Sequence, residues 1–158
     1  MTKLVIIYDS KTGNTEQMAK SIAEGAKSVS GVDVILKKLG EPFSISILDD
    51  ANAVILGAPA HYGHVTKEMR DFLACILGMK EAGRLKLEGK LGAAFGSYGW
   101  DGGVAIERLA KDIENLGFKV QSPVLSQVSP LPFPSIKEKS LKECRKLGKN
   151  IAEKASKQ

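Results

Sequence analysis

The 158-residue sequence has few of the residues that build disulfide frameworks or metal centres, and it has no long apolar run. Its two cysteines, Cys75 and Cys144, match neither a metal-ligand spacing nor a disulfide framework. Its two histidines, His61 and His64, have no third ligand nearby in the sequence, which argues against a metal site. Because no run reaches membrane-spanning length and no signal peptide precedes the first predicted strand, we expect a cytoplasmic protein without a membrane segment.

The formal net charge of +5 lies almost entirely in the last segment of the chain. Residues 136–158 contain eight basic and three acidic residues, and the remaining charges balance. Apolar residues recur among these charges at helical spacing, but no aromatic residue does. The segment therefore predicts an amphipathic helix with a solvated basic face. We expect no nucleic-acid partner, and a docking surface for an acidic protein stays open.

Apolar strands and amphipathic helices alternate along the sequence. Strands are predicted over residues 3–8, 32–36, 53–57, 91–96 and 118–125. Helices are predicted around 18–29, 65–77 and 106–116 and at the C-terminus, with at most a short helix within 42–50 and a proline-bearing turn at Pro130, Pro132 and Pro134. Since strands joined by helices must be parallel, we expect one α/β domain over residues 1–158. It would be a three-layer sandwich whose five-stranded parallel sheet, in the order 2-1-3-4-5, has helices on both faces.

Both cysteines fall on apolar stripes of predicted helices. We therefore expect two buried free thiols on helices that cover opposite faces of the sheet, with no disulfide between them.

Three loops rich in glycine and in polar or aromatic residues follow the first, third and fourth strands. They span residues 9–15, 58–64 and 97–103. Because the carboxyl ends of parallel strands meet at one edge of a sheet, and these three strands are neighbours in the predicted order, the loops should form one site.

The first loop, Ser10-Lys11-Thr12-Gly13-Asn14-Thr15, predicts a phosphate site. It lies where a strand leads into a helix, so backbone N–H groups and the helix dipole can hold an anion there. The sequence is neither a Walker A motif nor a Gly-x-Gly-x-x-Gly fingerprint. A simple helix N-cap is the plainer interpretation, and Thr12 or Asn14 would suffice for it. A cap needs only one such residue, whereas this loop has four residues with hydroxyl or amide side chains.

The three loops together resemble those of flavodoxins. Ser10-x-Thr12-Gly13-Asn14-Thr15 is similar to their phosphate loop, and residues 57–63 are similar to their second flavin loop. Residues 95–103 resemble most closely the third loop of the flavodoxin domains in flavodiiron proteins. The resemblance implies a flavodoxin-like fold that binds FMN and needs no catalytic residue. The cofactor-binding residues that it implies are Ser10, Lys11, Thr12, Gly13, Asn14, Thr15, Pro59, Ala60, His61, Tyr62, Gly63, Ser97, Tyr98, Gly99, Trp100, Gly102 and Gly103.

Within this set the resemblance leaves the roles of some residues open. Trp100, Tyr98 and Tyr62 are competing candidates for the aromatic side chain that stacks on the flavin. The glycines of the third loop would bring backbone N–H groups to the ring, where negative charge accumulates on reduction. The neutral or protonatable surroundings of His61 predict a flavin that is less strongly reducing than in acidic flavodoxins.

The function that this resemblance implies is that of an electron carrier, a monomer or weak dimer that shuttles one or two electrons between a donor and an acceptor protein. One alternative is an FMN-dependent NAD(P)H:quinone or nitro-compound oxidoreductase, an enzyme of the same fold. Another is a dissected flavodoxin domain of a flavodiiron protein. A phosphoacceptor receiver domain is excluded, because the third strand ends in Gly57-Ala58-Pro59 rather than in an aspartate.

Overall fold

The computed structural model describes residues 1–128 and 136–158, so the predicted proline turn lies outside the described residues. Its strands are β1 (Thr2–Tyr8), β2 (Val32–Lys38), β3 (Ala53–Gly57), β4 (Ala60–His61), β5 (His64–Val65), β6 (Leu91–Tyr98), β7 (Lys119–Val120) and β8 (Val124–Gln127). Its helices are α1 (Asn14–Lys27), α2 (Ile47–Asp50), α3 (Lys67–Glu81), α4 (Val104–Asn115) and α5 (Glu138–Ser156).

The main sheet has the predicted order and the predicted parallel pairing. Its strands lie in the order β2-β1-β3-β6, and β7 and β8 both pair with β6 at the fifth position. The fifth strand is split because Pro123 lies between its two halves and has no N–H to donate to a neighbouring strand. The expected order 2-1-3-4-5 is therefore confirmed, with an interruption in the last strand.

Side chains of successive residues point to opposite faces of the sheet and build two cores. In β1, Leu4 and Ile6 pack on one face with α1 and α5, whereas Val5 and Ile7 pack on the other with α3 and α4. All four are fully buried. This alternation produces the three layers and leaves the loops at the strand ends free to form a site.

The helices α1 and α5 approach each other so closely that a side chain at Gly25 cannot be accommodated. A Cβ atom at Gly25 would overlap the backbone carbonyl of Arg145 on α5. Glycine is required here by packing rather than by backbone conformation.

The segment before α3 differs from the prediction. The helix expected over 65–77 begins at Lys67, after Thr66, whose hydroxyl accepts a hydrogen bond from the N–H of Met69 at 3.4 Å. Val65 lies instead in β5, which pairs with β4 in a short antiparallel hairpin. The second loop of the site is therefore a hairpin with defined backbone hydrogen bonds.

The expectation for the two cysteines is half correct. They lie on α5 and α3, on opposite faces of the sheet, and both are free thiols. Cys144 is buried, and burial raises the pKa of its thiol to about 12. Cys75 is exposed, because it lies on the flank of α3 rather than in line with the buried Phe72 and Ile76.

Of the helices that the structure describes, none combines the length and the apolar composition needed to span a membrane.

Candidate functional site

The first loop turns from β1 into α1 around the hydroxyl of Ser10. Gly13 has a left-handed backbone (φ 93°) at the N-cap position, which suits glycine. The Ser10 Oγ accepts hydrogen bonds from the N–H groups of Gly13 (3.1 Å) and Glu16 (3.3 Å). Thr12 and Asn14 do not cap the helix, so the plain N-cap interpretation of these side chains is wrong. In the described part of the chain, the N–H groups of Asn14 and Thr15 have no hydrogen-bond acceptor.

The polar side chains of this loop have different surroundings. Thr12 is exposed and its Oγ1 accepts a hydrogen bond from the Asn14 Nδ2 at 3.2 Å. Thr15 is buried, and its hydroxyl forms a hydrogen bond of 3.0 Å with the hydroxyl of Ser97 at the end of β6. This bond joins the first loop to the third, so the two loops are held in a fixed relation.

Lys11 contacts two carboxylates. Its Nζ lies 2.9 Å from Glu68 of α3 and 3.6 Å from the buried Asp9. The hydrogen bond to Glu68 is the main reason that the pKa of Lys11 is raised above its ordinary value. The Oδ1 of Asp9 accepts a hydrogen bond from the N–H of Ser10, but its buried Oδ2 has no hydrogen-bond partner among the described residues. Lys11 therefore offsets a negative charge that lies directly behind the loop.

The second loop is the β4–β5 hairpin, and its turn consists of Tyr62 and Gly63. Both have positive φ (52° and 80°), as a type I′ turn requires, and Tyr62 is the one non-glycine residue in this region among those described. Its side chain is fully exposed, at 103% of the reference area. An exposed aromatic ring on an unfavourable backbone is unusual and points to a functional constraint. The carbonyl of Gly63 accepts a hydrogen bond of 3.0 Å from Arg108 of α4.

The third loop leaves β6 later than predicted, because Ser97 and Tyr98 belong to the strand. Trp100 follows and is 92% exposed. The Asp101 carboxylate accepts hydrogen bonds from the N–H groups of Gly103 (2.9 Å) and Ala105 (3.0 Å). The N–H of Gly103 is therefore used to cap α4 and is not free to meet a ligand, which corrects the role expected for it.

The three loops surround a cleft that has two adjacent parts. Its larger part has a volume of 740 Å³ and is lined by residues of the second and third loops, Ala60, His61, Tyr62, Gly63, Gly99, Trp100 and Asp101. Its smaller part has a volume of 220 Å³ and is lined by Lys11, Thr12, Asn14, Pro59, Ala60, His61, Ser97, Tyr98, Gly99 and Val128. Ala60, His61 and Gly99 line both parts, so the two parts are neighbours at these residues.

Five of the predicted site residues do not line either part of the cleft. They are Ser10, Gly13, Thr15, Gly102 and Gly103. Ser10 and Gly13 shape the start of α1, Thr15 supports Ser97, and the two glycines form the turn into α4.

Sequence reasoning missed two residues that line the cleft, Asp101 and Val128. An aspartate just before a helix is a common capping residue, which was the available signal for Asp101. Val128 follows β8 at the same edge of the sheet, and its N–H donates a hydrogen bond of 2.8 Å to the carbonyl of Tyr98.

Comparisons with known proteins agree with this geometry. A sequence model of the flavodoxin family matches residues 6–140. A flavodoxin of Aquifex aeolicus is 33% identical over 164 aligned residues, which cover 97% of this chain and 86% of that protein. The solved structure of a flavodoxin from the domain Archaea superposes with a TM-score of 0.77 at 31% identity, covering 98% of this chain and 99% of that one.

The chain is also similar to part of a larger protein. Rubredoxin:oxygen oxidoreductase of Desulfovibrio gigas superposes with a TM-score of 0.80 at 29% identity, over 99% of this chain and 36% of that one. The family model and the relative from Aquifex aeolicus both extend over most of this chain. The chain therefore belongs to the flavodoxin family, whose members bind FMN and transfer electrons.

Proposed function

We propose that this chain is a single FMN-binding domain that holds the flavin in the cleft between the three loops and carries electrons between redox proteins. The observation that carries the proposal is that the two ends of the cleft carry different chemical groups. One end has unoccupied helix N–H groups, and the other has exposed aromatic rings. The combined volume of the two parts is within the range of small-molecule sites.

The smaller part of the cleft suits the phosphate of FMN, a monoester that carries between one and two negative charges at neutral pH. The free N–H of Asn14, which lines this part, would donate to it at the positive end of α1, and the free N–H of Thr15 follows in the same first turn of the helix. Lys11 and the hydroxyl of Thr12 line the same part, where the hydroxyl adds a donor and Lys11 offsets the negative charge of Asp9 behind the loop. Ser10 would act indirectly, because it holds the turn in which these groups lie.

The larger part suits the isoalloxazine ring. Tyr62 and Trp100 line it and are both exposed, whereas Tyr98 is partly buried and lines the smaller part. This division favours Tyr62 and Trp100 as the stacking residues over Tyr98. When bound, FMN supplies the electron chemistry by accepting and releasing one or two electrons.

The charge around the ring also bears on the potential of the flavin. Asp101 is the carboxylate that lines the larger part, and its charge is partly satisfied by two N–H groups. His61 lines the same part and adds no negative charge to it. These surroundings support the prediction of a flavin that is less strongly reducing than in acidic relatives. A redox titration that gives a very low potential, unchanged in His61→Ala, would count against it.

A carrier is favoured over an NAD(P)H oxidoreductase by the exposure of the two aromatic residues. A ring held between Tyr62 and Trp100 at the surface would have an edge within reach of a partner protein. An enzyme would instead need a second enclosed pocket for the nicotinamide.

The test begins with the absorption spectrum of the purified protein and the release and identification of its flavin. We expect a flavin spectrum, FMN as the released compound, and slow oxidation of NAD(P)H at best. A protein that stays colourless after titration with FMN would overturn the proposal. Rapid turnover of NAD(P)H by the pure protein would replace the carrier with the oxidoreductase.

A further inference from the structure

A cationic surface lies beside the hairpin, outside the cleft. Arg70 of α3 and Arg108 of α4 line a pocket of 210 Å³ together with His64, Lys111 and Asp112. Val65, Ala105 and Leu109 form the remainder of its lining. Both arginines are exposed. We call the group of His64, Arg70, Arg108 and Lys111 the arginine patch.

Neither of the two arginines forms an ion pair with a carboxylate of the described residues. Within residues 1–128 and 136–158, no carboxylate oxygen lies within 4 Å of either guanidinium. Lys111 differs, because it forms an ion pair of 2.9 Å with Glu114. Asp112 is the one acidic residue in the described lining, so the pocket keeps a net positive charge.

The arginine patch adjoins the larger part of the cleft directly. Arg108 donates a hydrogen bond of 3.0 Å to the carbonyl of Gly63, and Gly63 lines that part of the cleft. His64, the next residue, lines the pocket of the patch. A partner bound to the patch would therefore lie next to the exposed edge of a ring held between Tyr62 and Trp100.

The other concentration of positive charge, on α5, lies on a different face of the sheet from the arginine patch. The helix α5 packs with α1 in the core on one face of the sheet, whereas α3 and α4 pack in the core on the other. Its exposed residues, such as Lys142, therefore provide a matched control for charge on the opposite face of the sheet from the arginine patch.

We propose that the arginine patch is the docking surface for an acidic redox protein, whose carboxylates would enter the pocket between Arg70 and Arg108. The inference rests on the proposed function as an electron carrier. Guanidinium groups bind carboxylates through paired hydrogen bonds. Uncompensated charge near the site of electron transfer also raises the rate of encounter with a partner of opposite charge.

The experiment measures electron transfer to the FMN-loaded protein by stopped-flow absorption. The donor is a reduced, acidic plant-type [2Fe–2S] ferredoxin, and one electron passes from its cluster to the oxidised flavin. A charge-reversed comparison uses the dithionite-reduced protein with basic ferricytochrome c as the acceptor. Each rate constant is measured between low and high ionic strength for wild type, Arg70→Gln, Arg70→Lys and the control Lys142→Gln.

We expect the ferredoxin rate to fall as salt is added, and Arg70→Gln to lower it about threefold at low ionic strength, as the loss of one charge near the contact implies. Arg70→Lys should keep most of the wild-type rate, because the charge remains. Lys142→Gln should stay close to wild type, and Arg70→Gln should not slow the reaction with cytochrome c.

Three results would overturn the inference. They are equal rates for wild type and Arg70→Gln, an equal loss in Lys142→Gln, and a ferredoxin rate that does not depend on salt. Binding of NADPH that is lost in Arg70→Gln would show that the patch holds a nucleotide phosphate instead of a protein. If the wild-type protein takes up no FMN at all, the proposed function fails first, so the two failures are distinguishable.

Discussion

Replacing Tyr62 with asparagine should stabilise the ligand-free protein and, at the same time, weaken its binding of FMN. Tyr62 is the first residue of the type I′ turn between β4 and β5, and its φ of 52° is one that asparagine adopts more readily than tyrosine. Its side chain is fully exposed, so no packing is lost when the ring is removed. The change places asparagine directly before Gly63, and asparagine followed by glycine is the pair that type I′ hairpins prefer.

The two effects can be estimated from this geometry. A left-handed backbone costs an ordinary residue about 1–2 kcal/mol, and asparagine tolerates it better, so we expect a gain of about 0.5–1 kcal/mol in the unfolding free energy of the ligand-free protein. An aromatic ring stacked on a planar base contributes about 1–3 kcal/mol. Losing one wall of the flavin site should therefore raise the Kd for FMN about 5- to 150-fold.

Urea denaturation of the ligand-free protein measures the first effect, and titration of that protein with FMN measures the second. Tyr62→Phe is the matched control, because it keeps both the ring and the backbone strain and should leave both quantities close to wild type. A variant Tyr62→Asn that binds FMN as tightly as wild type would refute the assignment of Tyr62 as a wall. Lower stability of the ligand-free variant would refute the argument from backbone strain.

Two further predictions concern the scaffold around the site. Gly25→Ala should lower the unfolding free energy by about 1–3 kcal/mol, because its Cβ would overlap the carbonyl of Arg145. Gly78→Ala on α3 has open space around the new Cβ and should raise the unfolding free energy by about 0.5–1 kcal/mol. Equal effects of the two variants in urea denaturation would contradict this contrast. The hydrogen bond from Tyr8 is the main cause that lowers the pKa of Glu16. The ionised carboxylate therefore stabilises the fold at neutral pH. This contribution is lost as the pH falls through the lowered folded-state pKa. Glu16→Gln should therefore be less stable than wild type at pH 7 and differ less from it in acid, and a difference that is constant with pH would count against the account.

The fold was predictable because its signals are strong and local. Buried strands such as β1 are continuous apolar runs rich in β-branched residues, and the helices between them leave few alternatives to a parallel sheet. The wrong prediction that Cys75 is buried could have been avoided. Cys75 is one residue before the buried Ile76, and a rotation of about 100° per residue carries it away from the core.

The hairpin was harder to predict. The strands β4 and β5 have only two residues each, too few for an alternating pattern, and Tyr62-Gly63 is not the usual sequence of a type I′ turn. The hairpin is contacted by residues far apart in the sequence, as in the hydrogen bond from Arg108 to Gly63, and a local pattern does not reveal such contacts.

For the site, the sequence located the three loops but could not assign every group within them. Loop positions follow from strand ends, and those are set by topology. Whether each N–H group bonds to a capping side chain or stays free for a ligand depends on local geometry. The hydroxyl of Ser10 caps α1 and the carboxylate of Asp101 caps α4. Within the described residues, the N–H groups of Asn14 and Thr15 therefore stay free, whereas that of Gly103 does not.

The measurement that tests the central claim most directly compares the affinities of the ligand-free protein for FMN and for riboflavin, which has the same ring but no phosphate. Trp100 is the one tryptophan in the sequence, so the quenching of its fluorescence reports on the ring end of the cleft. The two free N–H groups at about 1.5 kcal/mol each predict that FMN binds about 100-fold more tightly than riboflavin, with both ligands quenching Trp100. Equal affinities, or binding that leaves the fluorescence of Trp100 unchanged, would contradict the account.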